Sequence, residues 1–427
     1  MMGQPRTQEP LSPCGAKRSV CEALVRATMS AFAQGAKAGV QGWGGGAVRR
    51  ICAPCLTEPP HGRMKPMQLT ADARTRLLAI GWPDDAAARA TLDGLPEGRL
   101  ARVSAQHRSG YLVATAIDQE FPAQSLAAWM RPRFPAEDRA VVGDWVLLEP
   151  AANQIIALLP RRTLLKRAAA GEAYKQQPLA ANIDTVLVVS GLDMDFNPRR
   201  LERYLLLVRT SGAEPVLVLT KNDLHPDADV DALLAGITAQ EVAIHRVNAK
   251  DPASVAVLHQ YLGPGRSSVL IGSSGAGKST LTNTLLGTQK IRTAAVREHD
   301  SRGRHTTTHR ALIALPQGGC LIDSPGMREL KLTGEEILEE GGFDDIEALA
   351  MQCRFSDCNH AGEPGCAIRA ALESGALDAA RYAHYRKLGV EVASAAQGLA
   401  AQQARRTEAR EAEKGYRKKT KDKYGRK

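Results

Sequence analysis

A glycine-rich segment in the second half of the chain has the residue types and the spacing of a phosphate-binding loop. It reads Gly272-Ser-Ser-Gly-Ala-Gly-Lys-Ser279, which fits the pattern G-x-x-x-x-G-K-S/T. An apolar run, Ser268–Ile271, precedes it and a helical pattern over Thr280–Leu286 follows, so backbone N–H groups can surround phosphate oxygens at a helix N-terminus. We expect Lys278 to reach the β- and γ-phosphates and the Ser279 hydroxyl to ligate Mg²⁺. The segment predicts a nucleoside triphosphate site with contacts from Gly272, Ser273, Ser274, Gly275, Ala276, Gly277, Lys278, Ser279 and Thr280.

Two further segments carry groups suited to the metal and to the terminal phosphate. Asp323-Ser-Pro-Gly326 directly follows an apolar run, where the carboxylate can hold Mg²⁺ through water and the glycine N–H can contact the γ-phosphate. A polar loop, Gly303-Arg-His-Thr-Thr-Thr308, lies between this segment and the phosphate loop. We expect its Thr307 to supply the second hydroxyl ligand of Mg²⁺.

The residues that would select the base precede the phosphate loop. Thr220-Lys-Asn-Asp223 closes the apolar run Pro215–Leu219, and Val247-Asn-Ala249 follows one helical segment later. The Asp223 carboxylate can accept hydrogen bonds from the ring N–H and the exocyclic amine of guanine, a donor pair that adenine lacks. The Lys221 stem can pack over the ring, and the Asn248-Ala249 backbone can reach the guanine carbonyl. We therefore predict a GTP/GDP site with base contacts from Thr220, Lys221, Asn222, Asp223, Asn248 and Ala249.

The residue after the Asp323–Gly326 segment is Met327, where many GTPases place a glutamine that orients water. An apolar side chain cannot align the attacking water, so we expect hydrolysis to be slow until another group is supplied. His305 is the nearest candidate in sequence, because an imidazole can accept a proton or position a water molecule. Ordering of its own loop is the alternative role for His305. The predicted catalytic set is His305, Thr307, Asp323 and Gly326.

Near the C-terminus, three cysteines and one histidine follow the spacing Cys353-x4-Cys358-x-His360-x5-Cys366. Three thiolates and one imidazole fit a closed tetrahedral Zn²⁺ site. Disulfides are disfavoured in a reducing compartment, and iron–sulfur clusters usually take four cysteines. Because no coordination position stays open for catalysis, we expect one structural Zn²⁺ per chain.

The apolar patterning around these motifs predicts a multidomain chain. Short apolar runs such as Thr185–Val189 alternate with amphipathic segments such as Pro198–Val208, which is typical of a parallel α/β sheet. Glycines and prolines punctuate a series of β-like runs that favours a small all-β barrel of OB type, an architecture that binds nucleic acid. Those runs are Arg99–Val103, Gly110–Thr115, Ala140–Leu148 and Gln154–Leu159. The predicted divisions are a disordered extension (1–66), a helical lead-in (67–96), an OB-like barrel (97–165), an α/β P-loop GTPase domain (166–335), a zinc-binding, mostly helical module (336–403) and a basic tail (404–427).

Charge is concentrated at the two ends of the chain. The 427 residues carry a net +10, of which residues 1–66 contribute +6 and residues 405–427 contribute +7, so the remainder is slightly acidic. A terminal basic tail suits a polyanion such as RNA, and a solvated tail is the alternative. Met64 and Met67 directly precede the first helical pattern, Leu69–Ile80, so we interpret residues 1–66 as an extension that results from an upstream, misassigned start.

Composition excludes several classes of protein. No apolar run approaches the roughly 18 residues that a membrane-spanning helix needs. Eight cysteines in 427 residues are too few for a disulfide-dense secreted scaffold, and no export signal is visible. We expect a cytoplasmic monomer without membrane contacts.

The order of these motifs resembles that of a translation-factor-type GTPase in which the base-reading elements come first and D-x-x-G comes last. With a barrel before and Cys/His sequence after, the chain resembles the ribosome small-subunit-dependent GTPase A family, which is circularly permuted. The likeness runs from about Gln68 to the C-terminus and includes Val142-Gly-Asp-Trp145 and Ala180-Ala-Asn-Ile-Asp184. Thr220 stands where the family motif N-K-x-D has asparagine. The resemblance also implies a zinc module at the Cys/His cluster.

The resemblance implies a GTP hydrolase that acts as a checkpoint in small ribosomal subunit assembly. The barrel, the zinc module and the basic tail would then hold ribosomal RNA, and hydrolysis would be stimulated by the subunit. The residues themselves leave an alternative, a nucleotide-gated RNA-binding or scaffold protein with incidental hydrolysis. A membrane-surface GTPase is a weaker alternative, because the chain has no lipidation signal and no anchoring helix.

Overall fold

The computed structural model describes residues 69–424, except for gaps at 94, 108–109, 132–133, 169–175, 224–233, 235–236, 238–241, 288–309, 324–330 and 339–341. The predicted extension 1–66 and the loop Gly303–Thr308 lie outside the described residues. The described residues form two compact units. The first comprises 69–162, 262–267 and 310–322, and the second comprises 163–261, 268–287 and 323–424.

The first unit begins with two helices and continues into five strands. The helices are α1 (Ala71–Ala79) and α2 (Ala86–Asp93). The strands are β1 (Arg99–His107), β2 (Gly110–Ala116), β3 (Gln119–Ala123), β4 (Trp145–Leu148) and β5 (Ile155–Leu158). A short 3₁₀ helix, Ala127–Met130, lies between β3 and β4.

The five strands pair in a closed circuit. Antiparallel pairs join β3 to β2, β2 to β1, β1 to β4 and β4 to β5. A bridge between Gln124 and Gln154 then connects the end of β3 to the start of β5. The Gln124 N–H donates to the Asn153 carbonyl (2.7 Å), and the Ile155 N–H donates to the Gln124 carbonyl (3.1 Å). Four of these strands, β1, β2, β4 and β5, overlap the β-like runs that the sequence predicts, and β3 is not among those runs.

Both faces of the closed sheet bury apolar side chains. One face packs Val103, Val113 and Val146 together, and the other packs Leu100 and Leu147 with residues of α1 and α2. Strands buried on both faces appear in the sequence as apolar runs without strict alternation, which is the pattern seen at Trp145–Leu148.

The predicted run Ala140–Leu148 is a strand only over Trp145–Leu148, because a turn precedes it. Asp144 is fully buried in that turn and accepts the Val141 N–H (2.8 Å). Arg161 pairs with both Asp144 oxygens, at 2.8 and 2.7 Å. Removing one partner of such a buried pair costs about 3–5 kcal/mol. The Gly-Asp-Trp sequence at 143–145 is therefore a structural element of the first unit.

Two later segments belong to the first unit. Strands β12 (Ala311–Ala314) and β13 (Cys320–Asp323) pair with each other, and β12 pairs antiparallel with β1. Arg102 of β1 is fully buried and donates to the Ile80 carbonyl (2.6 Å) and to the Ser267 hydroxyl (2.7 Å). The apolar run that the sequence predicts directly before Asp323 is confirmed as strand β13. Strand β12 is not among the predicted apolar runs.

The second unit contains a parallel sheet with the order β10-β9-β8-β11. Its strands are β8 (Thr185–Gly191), β9 (Glu214–Thr220), β10 (Ala243–Arg246) and β11 (Ser267–Ile271). A separate antiparallel pair is formed by β6 (Leu164–Ala168) and β7 (Gln176–Ala181). The helices are α3 (Pro198–Thr210), α4 (Pro252–Val255), which continues as a 3₁₀ helix over Ala256–Tyr261, and α5 (Lys278–Leu286). The strands predicted at β8, β9 and β11 are confirmed; β6, β7 and β10 are not among the predicted runs.

Three helices follow: α6 (Asp344–Ala350), α7 (Ala367–Ser374) and α8 (Ala379–Tyr424). The division predicted at 403/404 falls inside the 46-residue helix α8, which continues without a break into the basic sequence. Alanine, glutamine, glutamate, arginine and lysine are strong helix formers, so nothing in this sequence ends the helix at that point. None of the helices in the described part of the chain is long and apolar enough to span a bilayer.

Arg381 fixes the start of α8 to α3 and α6. Its guanidinium donates to Glu202 of α3 (2.5 Å) and to Asp345 of α6 (2.9 Å). Burial raises the pKa of Glu202 above its usual value, and Arg381 opposes that shift. The C-terminal helix is thus attached to α3 by a buried, charge-assisted hydrogen bond and to α6 by a more exposed one.

Candidate functional site

The phosphate loop connects the buried strand β11 to helix α5. Gly272, its first residue, has φ = 145°, and a Cβ there would lie 2.0 Å from the Val189 carbonyl oxygen of β8. No side chain fits in that space, so glycine is required by close approach to the neighbouring strand. Gly275 differs, because its φ is 80° but a Cβ at that position would meet no atom within 4 Å.

Helix α5 begins directly after Gly277, which caps it in a left-handed conformation with φ = 88°. The N-terminal N–H groups of a helix have no partner within the helix and favour an anion. Ser274 and Ser279 are exposed at this end, Ser273 and Thr280 are half-buried, and Ala276 is buried. The loop therefore presents hydroxyl and backbone donors at the end of α5.

Lys278 lies across its own loop. Its ammonium donates to the carbonyl oxygens of Gly272 (2.8 Å) and Ser273 (2.5 Å). These contacts keep the positive charge next to the backbone that would surround phosphates.

Thr220 connects the base-reading segment to the phosphate loop. It is fully buried at the end of β9, and its hydroxyl donates to the Ala276 carbonyl at 2.7 Å. A Cβ at Gly277 would lie only 3.3 Å from the same hydroxyl oxygen. The side chain of Thr220, predicted to contact the base, thus contacts the loop.

The remaining residues of this segment lie at the surface end of β9. Asn222 is half-buried and Asp223 is exposed. Lys221 has a positive φ of 63°, and its ammonium forms an ion pair with Asp193, which follows β8 by two residues. Sequence reasoning did not identify Asp193; the signal was a carboxylate just beyond a predicted strand.

The Asn248-Ala249 segment is held to helix α5. The Ala249 carbonyl accepts the Thr284 hydroxyl of α5 at 2.6 Å. The Asn248 N–H donates to the Ser254 hydroxyl (2.9 Å), and its side-chain oxygen accepts the Lys250 N–H (3.0 Å). The Thr284–Ala249 hydrogen bond and the Thr220–Ala276 hydrogen bond together join the three segments predicted to bind nucleotide into one connected site.

Of the predicted catalytic residues, the structure describes only Asp323. Asp323 is the half-buried last residue of β13. His305, Thr307, Gly326 and Met327 lie outside the described residues.

The Cys/His cluster brings its four ligand atoms within 4.8 Å of one another. The His360 Nδ1 atom lies 3.5 Å from the Cys353 Sγ and 3.4 Å from the Cys366 Sγ. Tetrahedral coordination with Zn–S of about 2.3 Å and Zn–N of about 2.0 Å puts sulfur and nitrogen roughly 3.5 Å apart. Cys353, Cys358, His360 and Cys366 therefore have the donor set and the spacing for one tetrahedral metal ion.

Local hydrogen bonds shape the Cys/His loop. The Cys366 Sγ accepts the Arg369 N–H (3.4 Å) at the start of α7, and the Arg354 N–H donates to the Gly365 carbonyl (3.1 Å). The Glu363 carboxylate accepts backbone N–H groups, including those of Asn359 (3.0 Å) and Ala361 (2.9 Å). Hydrogen bonds from backbone N–H groups, its own among them, lower the pKa of Glu363 to about 2.

Comparison with known proteins finds relatives over most of the chain. The sequence profile of the RsgA GTPase family matches residues 158–333. The chain is 63% identical over 330 residues to the "Small ribosomal subunit biogenesis GTPase RsgA" of Xanthomonas campestris pv. campestris (strain B100), covering 76% of this chain and 90% of that protein. The protein of the same description from Xanthomonas axonopodis pv. citri (strain 306) is 62% identical, with the same coverage.

A solved structure shares the fold. The crystal structure of YjeQ from Thermotoga maritima matches with a TM-score of 0.51 and 26% identity, covering 69% of this chain and 99% of that chain.

Proposed function

Because this chain belongs to the RsgA GTPase family, we propose that it hydrolyses GTP as a step in small ribosomal subunit biogenesis. The observation that supports this function best is the connected nucleotide site. Thr220 joins the base-reading segment to the phosphate loop, and Thr284 joins Ala249 to the helix that follows the loop. Phosphate and guanine would therefore be held at positions set by one hydrogen-bonded framework.

The phosphates would lie at the N-terminus of α5. Lys278 would exchange its contacts with the Gly272 and Ser273 carbonyls for contacts with β- and γ-phosphate oxygens. The Ser279 and Thr307 hydroxyls and the Asp323 carboxylate would hold Mg²⁺. That ion would neutralise charge that develops on the phosphate oxygens. The Gly326 N–H would contact the γ-phosphate.

Guanine would be read at the carboxyl ends of β9 and β10. The exposed Asp223 carboxylate would accept the ring N–H and the amine, and the Asn248-Ala249 backbone would reach the carbonyl of the base. Asn222 would lie alongside, and the Lys221 stem would cover the ring.

Hydrolysis by the isolated protein would be slow. Met327 cannot orient water, and His305 is the group that we propose to do so when the subunit is bound. In this scheme the subunit completes the catalytic site.

The metal that fits the Cys/His cluster best is Zn²⁺. Cys353, Cys358, His360 and Cys366 would occupy all four positions, so the ion would support the loop without taking part in hydrolysis. The closed sheet, the zinc module and the basic end of α8 would contact ribosomal RNA, with phosphate contacts contributing much of the affinity. The cytoplasmic location and the monomeric state stay predictions.

A GTPase assay with and without purified small subunits tests the function. We expect weak turnover alone and strong stimulation by the subunit, and no turnover in either condition for Lys278→Ala. If the unmodified protein has no turnover in either condition, the result would instead support a nucleotide-gated RNA-binding protein. The apolar Met327, in place of a glutamine that orients water, is the observation that favours this second candidate.

A further inference from the structure

An ion pair at the end of β8 reaches the lysine of the base-reading segment. The Asp193 carboxylate contacts the Lys221 ammonium through Oδ2, and its other oxygen accepts the Asp195 N–H at 3.1 Å. The side chains of Asp193 and Lys221 are 29% and 24% exposed, so water screens this pair less than an ion pair on the open surface. One carboxylate thus connects Lys221 to the backbone of the loop after β8.

Adjacent parallel strands place the two residues side by side. The pairing of β8 with β9 continues to Gly191 opposite Thr220, and the Leu192 N–H donates to the Thr220 carbonyl at 3.0 Å. A Cβ at Gly191 would lie 3.2 Å from an Asp193 carboxylate oxygen, so the absence of a side chain leaves room for that carboxylate. The contact between Asp193 and Lys221 therefore depends on the pairing of β8 with β9. The sequence does not reveal it, because the two residues are 28 positions apart.

Lys221 itself has an unfavourable backbone conformation. Its φ of 63° lies in the left-handed region, which residues with a Cβ rarely adopt. Such conformations persist where the surroundings enforce them, and they occur often at ligand-binding residues. At Lys221 the surroundings are the Thr220 hydrogen bonds on one side and the Asp193 ion pair on the other.

We propose that Asp193 is a positioning residue for the guanine nucleotide: by holding the Lys221 ammonium, it orders the four-carbon stem of that lysine as an apolar surface for the base. This inference rests on the proposed guanine site. An unrestrained lysine has many rotamers, and ordering it upon binding weakens affinity. Because Asp193 orders the lysine beforehand, the nucleotide binds without that loss.

The first test measures nucleotide affinity in the full chain. Asp193→Asn keeps the shape and removes the charge; we expect it to weaken GTP and GDP binding equally, by roughly three- to tenfold. KM for GTP should rise by the same factor while kcat at saturating GTP stays unchanged, because no reacting atom is touched. Asp193→Glu should recover part of the affinity, and Asp193→Ser replaces Asp193→Asn if that variant does not fold.

A matched control and a double variant complete the design. Asp195→Asn changes a carboxylate of the same loop that pairs with Arg200, and it should bind GTP like the unmodified protein. The double variant Lys221→Met, Asp193→Asn should bind GTP no more weakly than the weaker-binding single variant, because both changes remove the same ion pair. Unchanged affinity in Asp193→Asn, additive losses in the double variant, or a change in kcat alone would overturn the inference.

Failure of the proposed guanine site has a separate signature. If ATP competes as well as GTP for the unmodified protein, the guanine site itself is wrong, whatever the Asp193 variants do.

Discussion

The phosphate loop and the Cys/His centre are both short segments, but different parts of the molecule hold them. The phosphate loop is supported from outside: Gly272 packs on the β8 backbone, and Ala276 is held by Thr220, 56 residues away. The Cys/His centre is supported by its own loop, where Glu363 and the start of α7 supply hydrogen bonds. The first site is therefore shaped by tertiary packing, and the second by local sequence.

This difference has a thermodynamic consequence. A loop held by neighbouring strands has its shape before the ligand arrives, so nucleotide binding does not have to organise it. A metal ion binds three thiolates and a neutral imidazole that only the folded loop brings together, so the stability of the Cys/His loop is linked to the ion. Each of the following predictions tests one side of this comparison.

The largest effect is expected at the first glycine of the phosphate loop. Gly272→Ala would put a methyl group 2.0 Å from the Val189 oxygen, so strand or loop must shift and GTP binding should be lost. Gly275→Ala, in open space at φ = 80°, should lose only about 1–2 kcal/mol of stability from its left-handed backbone conformation. Nucleotide titrations and thermal unfolding of both variants measure this. Equal losses in the two variants would mean that β8 does not shape the loop.

The Cys/His centre should lose its metal when one ligand is removed. Cys358→Ser should release one equivalent of zinc and lower the unfolding temperature, while GTP affinity stays close to that of the unmodified protein. Cys320→Ala, which changes a buried cysteine outside the centre, is the control and should keep its zinc. Elemental analysis gives the metal content. Iron in place of zinc, or loss of GTP binding together with the metal, would contradict the separation of the two sites.

The base-reading segment, like the phosphate loop, is held by tertiary contacts, because the Thr220 hydroxyl connects the two. Asp223→Asn presents an amide donor to the guanine amine, so GTP should bind at least about tenfold more weakly. Xanthosine triphosphate, which has a carbonyl in place of the amine, should bind more tightly than to the unmodified protein. Asp251→Asn keeps a capping side chain at the start of α4 and serves as the control. Competition titrations with both nucleotides decide the outcome, and an unchanged ratio of affinities excludes Asp223 as the base-reading carboxylate.

The smallest effect concerns a single hydroxyl. Thr220→Val keeps the shape of the side chain but leaves the buried Ala276 carbonyl without this donor, which costs about 1–3 kcal/mol. Thr282→Val removes a buried hydroxyl that donates within α5, to the Lys278 carbonyl at 3.0 Å, and should cost less. Chemical denaturation and GTP titration compare the pair. A larger loss at Thr282 would show that contacts within the helix, and not the contact from β9, support the loop.

Much of the parallel sheet could be predicted from sequence because its strands are buried on both faces. Continuous apolar runs at β8, β9 and β11, each bounded by polar turns, have few other interpretations. Edge and hairpin strands could not be recognised in this way. Gln119–Ala123 contains exposed polar residues and a proline, and Leu164–Ala168 includes two basic residues. Such strands form because a neighbouring strand pairs with them, here β2 with Gln119–Ala123 and β7 with Leu164–Ala168, and not because their own side chains form an apolar run.

The candidate sites divide along the same line. Their glycines, hydroxyls, thiols and carboxylates determine which chemistry is possible, and the spacing of a phosphate loop or of a Cys/His cluster is local, so the sequence alone identifies it. Three contacts depend on segments that approach only in the folded chain. They are the buried ion pair of Asp144, the hydrogen bond from Thr220 to the phosphate loop and the ion pair between Asp193 and Lys221. The sequence by itself determined the donor atoms of this protein. The tertiary structure decided which of them meet, because a hydrogen bond or an ion pair is set by distance in space and not by separation along the chain.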